Sequence, residues 1–329
     1  MKLHNLLPLA LATALLGCGT PSLNDTLPKS SLQNPLPSVT DNAYCNSQMD
    51  SDILYGVGMS LFNDEQHAEA KSCLVMAAPK HQRAFCYLSM IAEQEADKST
   101  EERQRESFHY MAYSAAQNDW CAEYGLYQVY LFGSKGMPQD KPLALRWLER
   151  SALHGAPDSQ QILADEYAEQ GDLVASYAWL RIIDNQQDTS ELDALKTKLT
   201  PEQLSAAEKR YQALRPQVVT KEAMYAEARE EDVGRYSADI QLAYPDTFKG
   251  MTSTERYAFV KQTMLTGLDL PYLQSRDQVA RYILIARYAH LKNAPVEALQ
   301  NPRIVALLSD EELATAEALK QARQILDQA

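Results

Sequence analysis

Positive charge is in short supply in this chain of 329 residues: 31 lysines and arginines stand against 44 aspartates and glutamates, for a formal net charge of −13. A body of that sign is repelled by phosphate backbones and anionic lipid, which argues against nucleic acid or a charged membrane surface as partner. Long apolar runs are also missing after the opening segment. The one such run, Leu6 to Leu16, is too short to cross about 30 Å of hydrocarbon as a helix. There is no Gly-x-Ser-x-Gly elbow, no Ser-x2-Lys, no glycine-rich phosphate loop and no His-Glu-x2-His, so the chemistries those patterns carry have no anchor here and no catalytic residue is assigned. His67, His81, His109, His154 and His290 stand singly on helical stretches, as surface or helix-end residues do. Glu101-Glu102, Glu230-Glu231-Asp232 and Glu311-Glu312 fall in polar helical contexts, where a solvated face or a helix N-terminus accounts for them.

What is present starts with Met1-Lys2-Leu3-His4, the apolar stretch to Leu16, and a small residue before a cysteine, the form of an export signal over residues 1–17. Leu15-Leu16-Gly17-Cys18 resembles the lipobox of bacterial lipoproteins. That resemblance implies cleavage before Cys18 and diacylation of its thiol, a two-chain anchor of the kind that holds a protein stably on a bilayer. Gly19, rather than Asp, follows the cysteine, which by the family's sorting rule implies the periplasmic face of the outer membrane in a Gram-negative host. Loss of Lys2 with the signal takes the charge from −13 to −14. From Thr20 to Asn42 the chain is rich in Pro, Ser, Asn, Asp and Thr, with Pro21, Pro28, Pro35 and Pro37 spaced through it. Residues 18–42 are therefore expected to be a disordered tether.

The segment 43–215 carries an internal period. In Ala122-x3-Leu126-x3-Tyr130-x2-Gly133-x2-Gly136-Met137-x2-Asp140-x2-Leu143-Ala144-x2-Trp147-x3-Ser151-Ala152-x2-Gly155, apolar residues recur at helical spacing on either side of a break from Gly133 to Asp140. The pattern restarts at Ser159-x3-Leu163-x3-Tyr167, 37 residues after Ala122, and closes on Gly171-Asp172. Two helices per repeat of that length mark an all-α, α/α solenoid, in which stacked pairs bury faces that no single pair can bury. These residues resemble Sel1-like repeats, a tetratricopeptide-like family, with Leu143 standing where the family favours Lys. Asp172 to Leu180, and then Leu199-Thr200-Pro201-Glu202-Gln203-Leu204, look like the last repeat and closing helix of bacterial members, with Thr200 and Gln203 forming a capping box. Looser copies upstream, Tyr110-x3-Ser114-Ala115 and Cys73-x3-Ala77-Ala78, lack the glycines.

Apart from Cys18, the cysteines are Cys45, Cys73, Cys86 and Cys121. An even number in an oxidising compartment points to two disulfides with three possible connectivities. The 35-residue spacing of Cys86 and Cys121 is close to one repeat and favours that pair, leaving Cys45 to Cys73. No two have CxxC spacing, so no metal or cofactor is expected. After Arg215-Pro216 the repeat fades into a C-terminal helical domain, 216–329, in which Thr252-x2-Glu255 and Ser275-x2-Gln278 mark helix starts and Val279, Tyr282, Ile283, Ala286, Tyr288 and Leu291 form an apolar stripe. Tyrosine is plentiful, 18 against 6 phenylalanines. Tyr113, Tyr124, Tyr127 and Tyr177 are candidates to line a partner-binding groove, where tyrosine is a favoured contact residue.

The function expected from these features is non-enzymatic: a protein-binding repeat lipoprotein in the periplasm that touches the membrane only through its anchor. The resemblance to lipoproteins with Sel1-like repeats implies its sharpest form, an immunity protein neutralising a toxic effector such as a type VI phospholipase. The alternatives are a structural adaptor in envelope or exopolysaccharide assembly, and an enzyme acting on cell-wall or antibiotic substrates, which the missing nucleophile and base disfavour.

Overall fold

The computed structural model describes residues 22–183 and 190–328; Cys18 and the expected signal lie outside them. All regular structure among the described residues is helical. The order is α1 (Ser51–Asn63), α2 (His67–Ala77), α3 (Arg83–Ala92), α4 (Thr100–Ala115), α5 (Trp120–Phe132), α6 (Lys141–Leu153), α7 (Pro157–Glu169) and α8 (Leu173–Ile183). There follow α9 (Ser190–Lys196), α10 (Pro201–Leu214), α11 (Lys221–Ala243), α12 (Ser253–Leu268), α13 (Arg276–Leu291), α14 (Pro302–Ser309) and α15 (Thr315–Leu326). From α1 to α8 each helix packs on the next, and α10 packs on α8.

Local chemistry sets these boundaries. Gly133 ends α5 at φ +65°, where a side chain would meet the Gln139 backbone, and Asp140 caps α6 by accepting the Leu143 N–H at 3.0 Å. Capping boxes open α4 (Ser99, Glu102), α10 (Thr200, Gln203), α12 (Thr252, Glu255) and α13 (Ser275, Gln278), each satisfying two backbone donors that a helix start leaves free. The repeat positions Ala122, Leu126, Ala144, Trp147, Ala152 and Ala164 are fully buried in one core that runs through the middle pairs. A second core fills the first pairs, a small one joins α8 to α10, and a fourth occupies the C-terminal helices.

Two features depart from expectation. The segment 22–42, expected to be a disordered tether, lies along the helices. Leu27 is buried in the middle core and Leu36 and Val39 pack on the first, while the Asn24 side chain donates to Ala116 O at 3.1 Å and His109 Nε2 donates to Gln33 O at 2.9 Å. The averaged polar composition hid four spaced apolar side chains, Leu23, Leu27, Leu36 and Val39, which the array covers.

The second departure is α11, about 34 Å long at 1.5 Å per residue, which does not belong to the C-terminal helices alone. It starts beside the α6–α7 turn, where Val219 N donates to Leu153 O at 2.8 Å and Met224 packs on Gly155. It then passes Arg83 at the α2–α3 turn and ends against α1, where Ser60 Oγ donates to Asp239 at 3.3 Å. Gly56 and Gly234 let the two backbones touch at that crossing: a Cβ on Gly56 would lie 2.6 Å from Gly234 O, and one on Gly234 would lie 2.9 Å from Asp52 O. Val233, Tyr236 and Ile240 on the same helix enter the C-terminal core, whereas Ala238 enters the first one.

Candidate partner-binding groove

Where α11 spans the turns, a cavity of about 530 Å³ opens between helix and turns. The turns are short and change direction through left-handed residues, Asn118 at φ +70° and Gly155 at φ +96°. This brings the starts of α3, α5 and α7 to one edge.

Arg83, the first residue of α3, is the hub of that edge. Its Nε lies 2.5 Å from Asp119 Oδ2, its guanidinium stacks 4.3 Å above the Trp120 ring, and its Nη2 reaches Glu227 on α11 at 3.5 Å. Asp119 is meanwhile the N-cap of α5, accepting the Ala122 N–H at 3.0 Å. Burial alone would lower the Arg83 pKa, but Asp119, Glu231 and Glu227 more than offset it and raise it. Glu231 has the opposite balance: burial pushes its carboxyl up, and the attraction of Arg83 only partly opposes this. His81 stacks on Tyr55 with ring centroids 4.9 Å apart. Burial holds the imidazole below its ordinary pKa even though Asp52 pulls it up. The Tyr55 hydroxyl is enclosed and has no hydrogen-bond partner among the described residues.

His154 reaches the groove from the end of α6 and is held from behind. Its Nδ1 lies 2.7 Å from Glu123, which is fully buried and also takes Arg150 Nε at 2.7 Å. Arg150 in turn donates to Asn24 and Asn118, both at 2.6 Å, and to Ala115 O at 3.0 Å. One buried carboxylate therefore fixes the N-terminal segment, two turns and a groove histidine. On the far wall Glu230 takes Tyr257 and Lys261 from α12.

Sequence reasoning named a different surface. Tyr177 is buried, with its hydroxyl on Glu208 at 2.6 Å, and Tyr127 is buried with its ring 5.8 Å from that of Tyr124. Tyr113 is half-buried against Phe85, at 4.9 Å between centroids. None of the four lines the cavity; Tyr113, Tyr127 and Tyr177 pack against neighbouring side chains. Two of the singly placed histidines, His81 and His154, are instead in the groove. Glu123 had a legible signal: it shares a helix face with Leu126, Tyr127 and Tyr130, and an acid at an apolar-face position is buried only when paired. Arg83 and α11 had none, because their meeting is set by a crossing 144 residues apart in the chain, from Arg83 to Glu227.

The cysteines pair as the repeat spacing suggests, Cys45 with Cys73 and Cys86 with Cys121. The first ties the chain ahead of α1 to α2, and the second ties α3 to α5. Cys86, Asp119 and Cys121 lie close together, but both sulfurs are committed to the bridge, so this group does not form a metal site. Comparison with protein-family models, curated proteins and solved structures gives no match.

Proposed function

We propose that this chain is a lipid-anchored periplasmic protein that binds another protein, with α1–α8 forming a Sel1-like solenoid and the groove under α11 as the binding face. The observation that carries the reading is the groove's mixed charge. The turns present Lys80, His81, Arg83, Trp120 and His154, Glu227, Glu230 and Glu231 face them from α11, and Asp52 and Asp119 complete the charged lining. Small-molecule sites are mostly apolar with a few polar groups, whereas arginine and tryptophan inside a polar rim are the pattern of protein interfaces. The two disulfides fit an oxidising compartment. Acylation of Cys18 supplies the anchor in this reading.

The test is to purify the anchored protein from its own envelope, with and without a competing strain, and identify what co-purifies stoichiometrically. The reading expects one protein partner that is lost in Glu227→Lys and Glu230→Lys variants which still fold. A toxin as that partner makes the chain an immunity protein, and resident assembly machinery makes it an adaptor. A partner retained by both variants, or turnover of a cell-wall substrate by the purified chain, refutes the assignment.

A further inference from the structure

A second cavity, about 300 Å³, lies in the C-terminal helices, away from the groove. It is bounded by the α11–α12 connection and by α13 and α15. α13 brings Leu284, Arg287 and Leu291 to it and α15 brings Leu319 and Arg323, so three leucines and two arginines share its lining. Arg287 is 6% exposed, yet it is held by a single neutral contact, its Nε donating to Thr247 O at 3.0 Å, with the Phe259 ring 5.9 Å away. Among the described residues no carboxylate pairs with it and no acceptor takes its Nη groups.

The Arg287 Nη groups open onto the cavity instead of onto protein acceptors, and a largely buried guanidinium left without acceptors is costly. The contrast within this helix lies in the Nη groups: Arg281, also on α13 and 2% exposed, donates both of its Nη groups to the carbonyls of Leu307, Asp310 and Leu313, and only its Nε lacks a partner among the described residues. Burial lowers the Arg287 pKa, and the more distant Glu255 only partly opposes this. The other charged groups at the cavity leave the positive sign in place. Arg323 is exposed and stacks 5.1 Å from the Tyr288 ring. Asp327 takes the Tyr288 hydroxyl at 2.8 Å and Lys292 at 2.7 Å. Asp246 on the rim is exposed and forms no ion pair among the described residues.

We propose that this cavity binds a small apolar monocarboxylate, its carboxylate on the Arg287 Nη groups with Arg323 at the mouth and its hydrocarbon part on Leu284, Leu291 and Leu319. A single negative head suits a site whose one buried cation offers a planar, forked pair of donors. The three leucines select against inorganic anions and sugars, and the volume sits at the small end of ligand sites. The site stands apart from the groove and does not depend on the function proposed for it.

The test is calorimetric or NMR titration of the mature chain with octanoate and 4-phenylbutyrate, and with their primary amides. Binding of the acids at least tenfold tighter than the amides is expected, because only the carboxylate gives the guanidinium fork a charged, bidentate acceptor. Arg323→Gln, an exposed change that leaves the fold intact, weakens acid binding several-fold, and Arg287→Gln abolishes it. Arg287→Lys keeps the charge without the fork and binds the acids in between. Chemical shifts confined to residues near Leu284 and Leu319 locate the ligand independently of the Arg287 variants. Equal affinity for acids and amides, no acid binding at millimolar concentration, or shifts centred elsewhere overturns the proposal.

Discussion

The α1–α11 crossing can be tested by adding one carbon to it. In Gly56→Ala the new Cβ falls 2.6 Å from Gly234 O and 2.9 Å from Ala238 Cβ. Neither atom can rotate away, since one is main chain and the other is fixed to it. Carbon–oxygen contacts between packed helices settle near 3.3 Å or more, so the two helices must part by about 0.7 Å, a gap that forfeits a quarter to a half of each dispersion contact along the seam. Overpacking of this kind costs about 1–3 kcal/mol, against the roughly 1 kcal/mol that alanine contributes inside a helix relative to glycine. The net expectation lies between no change and a loss of about 2 kcal/mol. It should be concentrated at this seam and seen by hydrogen exchange as faster opening of α11 between Gly234 and Ile240. Gly125→Ala is the matched control: its Cβ meets only the Met111 Sδ and Cε at 2.7 Å, the end of a flexible side chain, so helix propensity decides and the variant is as stable as the parent or more so. If Gly56→Ala is as stable as Gly125→Ala and leaves α11 exchange unchanged, the close crossing is not how α11 is held.

Other consequences follow from the same contacts. Glu123→Ala strands Arg150 and His154 and is expected to cost about 3–5 kcal/mol, the usual penalty for breaking a buried pair; thermal unfolding reads it, and the double variant Glu123→Ala/Arg150→Met should recover part of the loss. Peptide mapping without reduction should find Cys45 joined to Cys73 and Cys86 to Cys121, and any Cys73–Cys86 peptide contradicts the fold. With loops of 28 and 35 residues, the chain-entropy relation gives each bridge roughly 3.5–4 kcal/mol, so Cys86→Ser/Cys121→Ser should melt well below the parent. His81 has a folded pKa below its ordinary 6.5, so the unfolded chain takes up the proton first as pH falls. Its contribution to stability is present above pH 6.5 and declines below it, and His81→Gln should flatten the fall in melting temperature between about pH 7.5 and 5.5. A steeper fall in that variant would reverse the assignment.

Most of the helices from α5 to α8 were legible because their signals are local. Gly133 and Asp140 act through caps within a few residues, as Thr200 does at the start of α10, and Ala122, Trp147 and Leu163 lie on the buried faces of α5, α6 and α7. The cysteine pairing was legible for a related reason: the 35-residue spacing of Cys86 and Cys121 spans two helix-and-turn lengths, which brings α5 back beside α3. What escaped depends on long-range geometry. The tyrosines at 127 and 177 have the chemistry of contact residues, but whether a repeat tyrosine packs or projects is decided by the neighbouring pair, and here it packs. The segment 22–42 averages as polar, yet four apolar side chains suffice to lay it on an existing surface. The groove was hidden because one side of it comes from α11, whose charged first half, Glu222 to Glu230, reads in sequence as a solvated helix and faces Arg83 only after the chain has doubled back.

The claim that the groove is where a partner sits is tested most directly by placing a photo-cross-linking residue at exposed groove positions, Gln82 and Glu227, and at Gln128, exposed on α5 outside it, in the anchored protein within its own envelope. A single defined adduct from Gln82 and Glu227, absent from Gln128, is the predicted result. Adducts from Gln128 alone, or from all three positions alike, would contradict it.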